Sequence, residues 1–415
     1  MKSGLKLFAS VVVVCGAAFA GAADKVSKVS LSVPSVAGGT TSAGTVELTA
    51  KAGSTGAVVA LTSSNAAVTV PATVTVASGQ TTVNFTATTS PVAANLSAVI
   101  KATLGTSSAT TTLGVEAPKV AEFSFIPPSV VGGSGATATV KLSSAAPAEG
   151  TKVSLSASSA AWGGPTSVVI PAGATSATLA FTSIPVSELT NSDVTASVPG
   201  SKVGATLTVE APHIASFVLS SSSVIGGVHP SGTLTLNGAA PKGGFKIKMT
   251  SGASSAIVPS TIEIAAGATS TSVGIVTKAV SNKAAARINV VAPGASVELL
   301  LTINPPSLTA LNLASTSMSA GQSTTATVTL NGIAPEGGFK IALTSNQAGV
   351  QVPKSVTIAA GSTAATFAVT STAASNGTTA SIGATDPNGK ALLTALAIGT
   401  VSTTSKNPPP HKPSH

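Results

Sequence analysis

Hydrophobic and polar residues alternate along most of this chain with a period of two. In residues 245–251, Phe245, Ile247 and Met249 fall on one side and Lys246, Lys248 and Thr250 on the other. That is the signature of a half-buried β strand. Similar short segments surround it, at residues 214–220, 232–238, 260–266, 269–278, 286–292 and 296–303. Breaks containing glycine separate several of them, including Asn237-Gly238, a pair that favours tight turns. The pattern predicts seven strands in this part of the chain.

The same pattern returns every 94 residues. Gly39, Gly133, Gly227 and Gly321 keep that spacing, as do Gly79, Gly173, Gly267 and Gly361. So do Gly56, Gly150, Gly244 and Gly338, and Pro71, Pro165, Pro259 and Pro353. The string VEAP ends one copy at Pro118 and the next at Pro212. Apolar identity varies while register holds: Phe85 corresponds to Leu179, Val273 and Phe367, and Phe123 to Phe217 and Leu311. Packed cores tolerate such exchanges. The repeats predict domains at residues 24–118, 119–212, 213–306 and 307–404. A period of 94 residues is too long for one coil of a solenoid and long enough for a closed sandwich. The expected fold is all-β, with four tandem β-sandwich domains in an extended array on the order of 150 Å long.

Two segments stand apart from the repeats. Lys2 and Lys6, the apolar run from Leu7 to Ala20 and the small residues that follow have the layout of a secretory signal peptide, cleaved after Ala20 or Ala23. The apolar run is shorter than the roughly 20 residues of a membrane-spanning helix. Val14 precedes Cys15 where lipoprotein processing prefers a smaller residue, so Cys15 is read as part of the leader. A mature chain cut there has no cysteine and no disulfide, and must rely on packing. At the other end, NPPPHKPSH from Asn407 reads as part of a Pro-rich, disordered tail spanning residues 405–415.

Composition supports this picture. Only 8% of residues are charged, 3% are aromatic, and there is no Tyr. Loss of Lys2 and Lys6 takes the formal charge from +9 to +7. The remaining lysines are scattered, without the aromatic platform or arginine cluster of a nucleic-acid surface. No nucleic acid is expected as a partner, and no membrane span after cleavage.

The pattern S-V-x-G-G, then A-P-x-G-G and V-P-x-x-V-x-I-x-A-G-x-T-S, resembles bacterial immunoglobulin-like tandem repeats of secreted and cell-surface proteins. The first copy departs from it at one turn, reading KAGSTG around Gly53. The resemblance implies immunoglobulin-like sandwiches acting as spacers or adhesive stalks, exported to the cell surface or beyond. Expected partners are envelope or extracellular surface components, and self-association through strand edges. A carbohydrate- or matrix-binding role is the alternative reading.

Candidate chemistry is sparse. The histidines are His213, His229, His411 and His415, and the aspartates Asp24, Asp193 and Asp386. Serine is abundant, but a serine nucleophile needs a nearby base with an orienting carboxylate; His213 falls at a repeat junction and His229 in a loop, and neither reads as catalytic. No group of residues has zinc- or calcium-ligand spacing. The string DPNGK at Asp386 reads as a turn. Trp162 occupies the slot held by Val68, Ala256 and Val350 in the other copies, an apolar position rather than a ligand platform. Glu116 and Glu210 read as solvated residues ending the last strand of their repeats. The expectation is therefore no catalytic residue, no cofactor-binding residue and no metal ligand.

Overall fold

The structure is a computed structural model that describes residues 25–399. The signal-peptide reading of residues 1–23, Asp24, the Pro-rich tail, His411 and His415 lie outside the described residues. Apart from two single turns of 3-10 helix, Ala160–Trp162 and Ala373–Ser375, every element described is a β strand.

The first repeat shows the plan. Its strands are β1 (Val26–Leu31), β2 (Ser35–Ala37), β3 (Thr41–Leu48), β4 (Ala57–Ser63), β5 (Val68–Thr69), β6 (Thr73–Val76), β7 (Thr82–Thr89), β8 (Leu96–Leu104) and β9 (Ser107–Glu116). One sheet has the order β1-β3-β7-β5 and the other β2-β9-β8-β4-β6. Alternation explains both. In β4, Ala57, Val59 and Leu61 point inward while Val58, Ala60 and Thr62 face solvent. In β8, Ala98, Ile100 and Ala102 point inward. With Val46, Phe85, Leu113 and Val115 they form one buried cluster. Two sheets whose apolar faces meet over such a cluster make a sandwich.

The leading segment serves both sheets. β1 runs antiparallel to β3, with a bulge between Val26 and Lys28. The chain then crosses over, and β2 lies parallel to β9. The third and fourth repeats do the same: Ser223–Ile225 is parallel to the strand Ala295–Asn304, and Ser317–Ser319 to Ala391–Gly399. A bulge recurs in the first strand of every repeat, between Val120 and Glu122, Ile214 and Ser216, and Leu308 and Ala310. The extra residue bends the strand at its start, where the chain enters that sheet.

The period-keeping glycines have a backbone reason. Gly39, Gly133, Gly227 and Gly321 all have φ between 82° and 92°, which a side chain would strain. Elsewhere a small residue makes room for a large one. A Cβ on Gly44 would overlap the Phe85 ring, and one on Gly232 the Phe217 ring. In the second repeat the corresponding register pair is Ala138 with Leu179. Gly44→Val is therefore expected to destabilise the first repeat by about 1–3 kcal/mol through overpacking. Adding Phe85→Leu should recover part of the loss. Urea midpoints of the two variants check this, and an undiminished midpoint for Gly44→Val alone would contradict it.

The described residues fall into two compact units. One comprises residues 25–130, 135–182 and 191–208; the other comprises 131–134, 183–190 and 209–399. The first holds an aromatic cluster in which Trp162 packs 4.3 Å from Phe181 and 5.5 Å from Phe125, centroid to centroid. Trp162 is buried, as are Val68, Ala256 and Val350 at the same repeat position. Its indole Nε1 donates to the Pro165 carbonyl at 3.3 Å.

Candidate functional site

The chemistry-bearing side chains picked out between residues 25 and 399 have definite places. His213 follows the buried Pro212; its N–H donates to Asn237 Oδ1 at 2.8 Å, and its Nδ1 lies 3.0 Å from Asn237 Nδ2. His229 lies in the loop just after the Gly226-Gly227 turn, and its Nδ1 accepts the Thr277 N–H at 3.1 Å. Asp193 accepts the Thr206 hydroxyl at 2.6 Å across the outer face of a sheet. No group of three or more metal-ligating side chains occurs among the described residues. No helix there is long and apolar enough to cross a membrane.

Asp386 lies in a turn between two strands, as its neighbours predict, but it is buried at 3% exposure. Its Oδ1 accepts the backbone N–H groups of Asn388 and Lys390, each at 2.9 Å. Its Oδ2 accepts the Leu308 N–H at 3.0 Å and the Ser307 hydroxyl at 3.2 Å. The carboxylate staples the last hairpin of the fourth repeat to that repeat's first strand. In the first repeat the matching N–H, on Val26, donates instead to Ser107 Oγ at 2.9 Å.

A set of residues that the strand pattern does not reveal proves structural in every copy. Thr89, Ser183, Thr277 and Ser371 are buried hydroxyls, also spaced by 94 residues. They donate to the carbonyls of Thr40, Ser134, Val228 and Gln322 at 2.7, 3.0, 2.7 and 3.1 Å. Each ties the end of a core strand to the glycine turn, so its polar group is satisfied where burial would otherwise be costly. The shared period was the signal available in the sequence.

The junctions between repeats are also tightly bonded. Ser143, Asn237 and Asn331 occupy one repeat position. Their side-chain oxygens accept the N–H of Lys119, His213 and Ser307, and their own N–H groups donate back to the carbonyls of those residues. Glu116 ends β9 half-exposed, as expected, and also bridges the first junction. Lys119 Nζ lies 2.7 Å from its Oε2, and the Ser35 hydroxyl donates to Oε1 at 3.2 Å. Glu210 ends the equivalent strand of the second repeat, its carbonyl accepting the Gly132 N–H.

The hydrogen bond from Lys119, with that from Ser35 and the lysine's charge, holds the Glu116 carboxyl below its usual range. A carboxylate favoured in the folded state stabilises it above the unfolded pKa, and that contribution is lost as pH falls through the folded pKa. Lys119→Ala should raise the Glu116 pKa toward the ordinary value in an NMR titration. An unmoved titration would rule out the lysine as the cause.

No protein-family model matches the chain, and no curated protein matches it. Solved structures do align with it. Invasin, a bacterial integrin-binding protein, is 15% identical over 89% of this chain and 78% of its own, with a TM-score of 0.34. A tetra-tandem repeat from the extending region of a large adhesion protein is 17% identical over 91% and 99%, with a TM-score of 0.27. The Yersinia pseudotuberculosis adhesin InvE is 15% identical over 45% and 58%, with a TM-score of 0.26. What the described residues show by themselves is an all-β chain of paired sheets built on a 94-residue repeat.

Proposed function

We propose that the chain is a secreted, non-catalytic structural or adhesive spacer, acting at a bacterial envelope or outside it. Each 94-residue copy is one sandwich domain in this reading, with the boundaries at residues 24–118, 119–212, 213–306 and 307–404. The observation that supports it most is the use made of polar side chains. His213, His229, Asp193 and Asp386 each bond to their own fold, and the recurring hydroxyls and asparagines hold turns and junctions. Trp162, the single Trp and the best candidate for a sugar-stacking platform, is buried.

The test is binding of the purified chain to whole cells, isolated envelopes and a glycan array, with sedimentation over a concentration series. Retention on cells or envelopes without glycan signal, or self-association insensitive to salt, supports the reading. Backbone pairing between strand edges is mostly uncharged, whereas charge-driven binding weakens steeply with ionic strength. Saturable binding of one defined glycan would replace it with the carbohydrate-binding alternative. Turnover of any substrate by the pure protein would overturn it.

A further inference from the structure

The junction between the third and fourth repeats lies within the second compact unit. Its linker is short: Asn304 ends one strand and Leu308 begins the next. Bonds reach the linker from both sides. Asn304 Nδ2 donates to Ser223 Oγ at 2.8 Å, its carbonyl accepts the Gly226 N–H at 3.0 Å, and Ser307 exchanges bonds with Asn331.

Beside the linker two isoleucines face two glycines. A Cβ on Gly332 of the fourth repeat would lie 2.5 Å from Ile225 Cγ2 of the third. A Cβ on Gly227 of the third would lie 2.8 Å from Ile333 Cδ1 of the fourth. Each repeat thus offers one bulky side chain and one bare backbone seat. The same positions at the preceding junction hold Val131 with Gly238 and Ala239 with Gly133, and each of those glycines likewise lacks room for a Cβ. At the first junction the positions matching Ile225 and Gly332 hold Ala37 and Ser144. At the Ile225 position the side chain grows from Ala to Val to Ile along the chain while its counterpart falls from Ser to Gly, and the Gly227 position is Gly at every junction. Close-packed surfaces of this kind resist even one added methyl group.

We propose that Ile225 with Gly332 and Ile333 with Gly227 form a two-way steric lock that seats the fourth repeat on the third, so that the two move as one body. This goes beyond the spacer reading and does not depend on what the chain binds. Its function is to keep the direction of one repeat fixed by the direction of its neighbour.

Two measurements on the full chain carrying Cys15→Ser test the lock. The first is the double variant Ile225→Cys with Gly332→Cys. A Cβ at position 332 would lie 3.7 Å from that of residue 225, inside the roughly 3.5–4.5 Å that a disulfide spans. Complete loss of free thiol on air oxidation, with linked peptides in mass spectrometry, is the expected result; persistent free thiols would overturn the proposal. The second uses spin labels at the exposed positions Lys248 and Lys354. The distance distribution should be narrow, broaden on Gly332→Ser, and narrow again when Ile225→Ala is added to recreate the Ala37 and Ser144 combination. A distribution unchanged by Gly332→Ser, or a double variant as broad as the single, counts against the lock. If Gly332→Ser prevents folding, the disulfide measurement still decides.

Discussion

Ile247→Asp is expected to unfold the third repeat outright. Ile247 has no exposed surface and sits in the strand Phe245–Ser251, sharing a core with Met249, Ile264, Ile288 and Leu301. Burying an unpaired carboxylate there costs several kcal/mol, against a total stability of about 5–15 kcal/mol for a typical domain. The neighbouring change Lys248→Asp should cost no more than about 0.5 kcal/mol, because that side chain faces solvent opposite Thr261 and Val291. Lys246 is a poorer control: it lies opposite Glu263, so an aspartate there would face a like charge. Limited proteolysis with urea titration separates the outcomes. Equal damage from positions 247 and 248 would mean that the strand register is wrong.

The second large effect is expected at Asp386. Removing its carboxylate leaves the buried Leu308 N–H without its acceptor and frees the turn amides of Asn388 and Lys390. Hydrogen bonds to a charged group contribute about 1.5–3 kcal/mol each, and an orphaned buried donor adds its own cost. Asp386→Ala should therefore destabilise the fourth repeat by about 3–5 kcal/mol, allowing for non-additivity. Asp386→Asn keeps the shape but turns one acceptor into a donor, so it should recover only part of that. A loss below about 1 kcal/mol for the alanine variant would show that the staple is dispensable.

Much of the fold was legible because the alternating segments are long enough to show their period. The segment starting at Phe245 coincides with its strand, and those starting at Ile214, Gly232, Ala286 and Ser296 each lie within two residues of one. The parallel strand Ser223–Ile225 escaped the pattern because three residues cannot display alternation, and its partner Thr302–Asn304 is remote in sequence. The segment 269–278 divides into Ser270–Gly274 and Val276–Thr277, with Ile275 bonding to Pro230 instead. Turn chemistry placed Asp386 correctly and said nothing of its burial, since the groups that bury it, Ser307 and Leu308, lie 79 and 78 residues away. The buried hydroxyls were hidden by abundance. In a chain this rich in Ser and Thr, residue type alone does not distinguish Thr277 from its many exposed counterparts.

The parallel pairing of β2 with β9 has a consequence in time. The opening of the first repeat is completed by its close: Ser35–Ala37 pairs with Gly114–Glu116, and Val26 bonds to Ser107 at a separation of 81 residues. Contacts between such distant residues are slow to form, and β sandwiches fold in milliseconds to seconds where local helical folds take microseconds. A growing chain cannot close that repeat before its last strand has emerged. Truncation before Ser107 should leave it open, with protease-sensitive edges at both β2 and β8; a protected, cooperative fragment would refute this. The repeat length is then also the interval at which the lengthening chain can bury each newly made core.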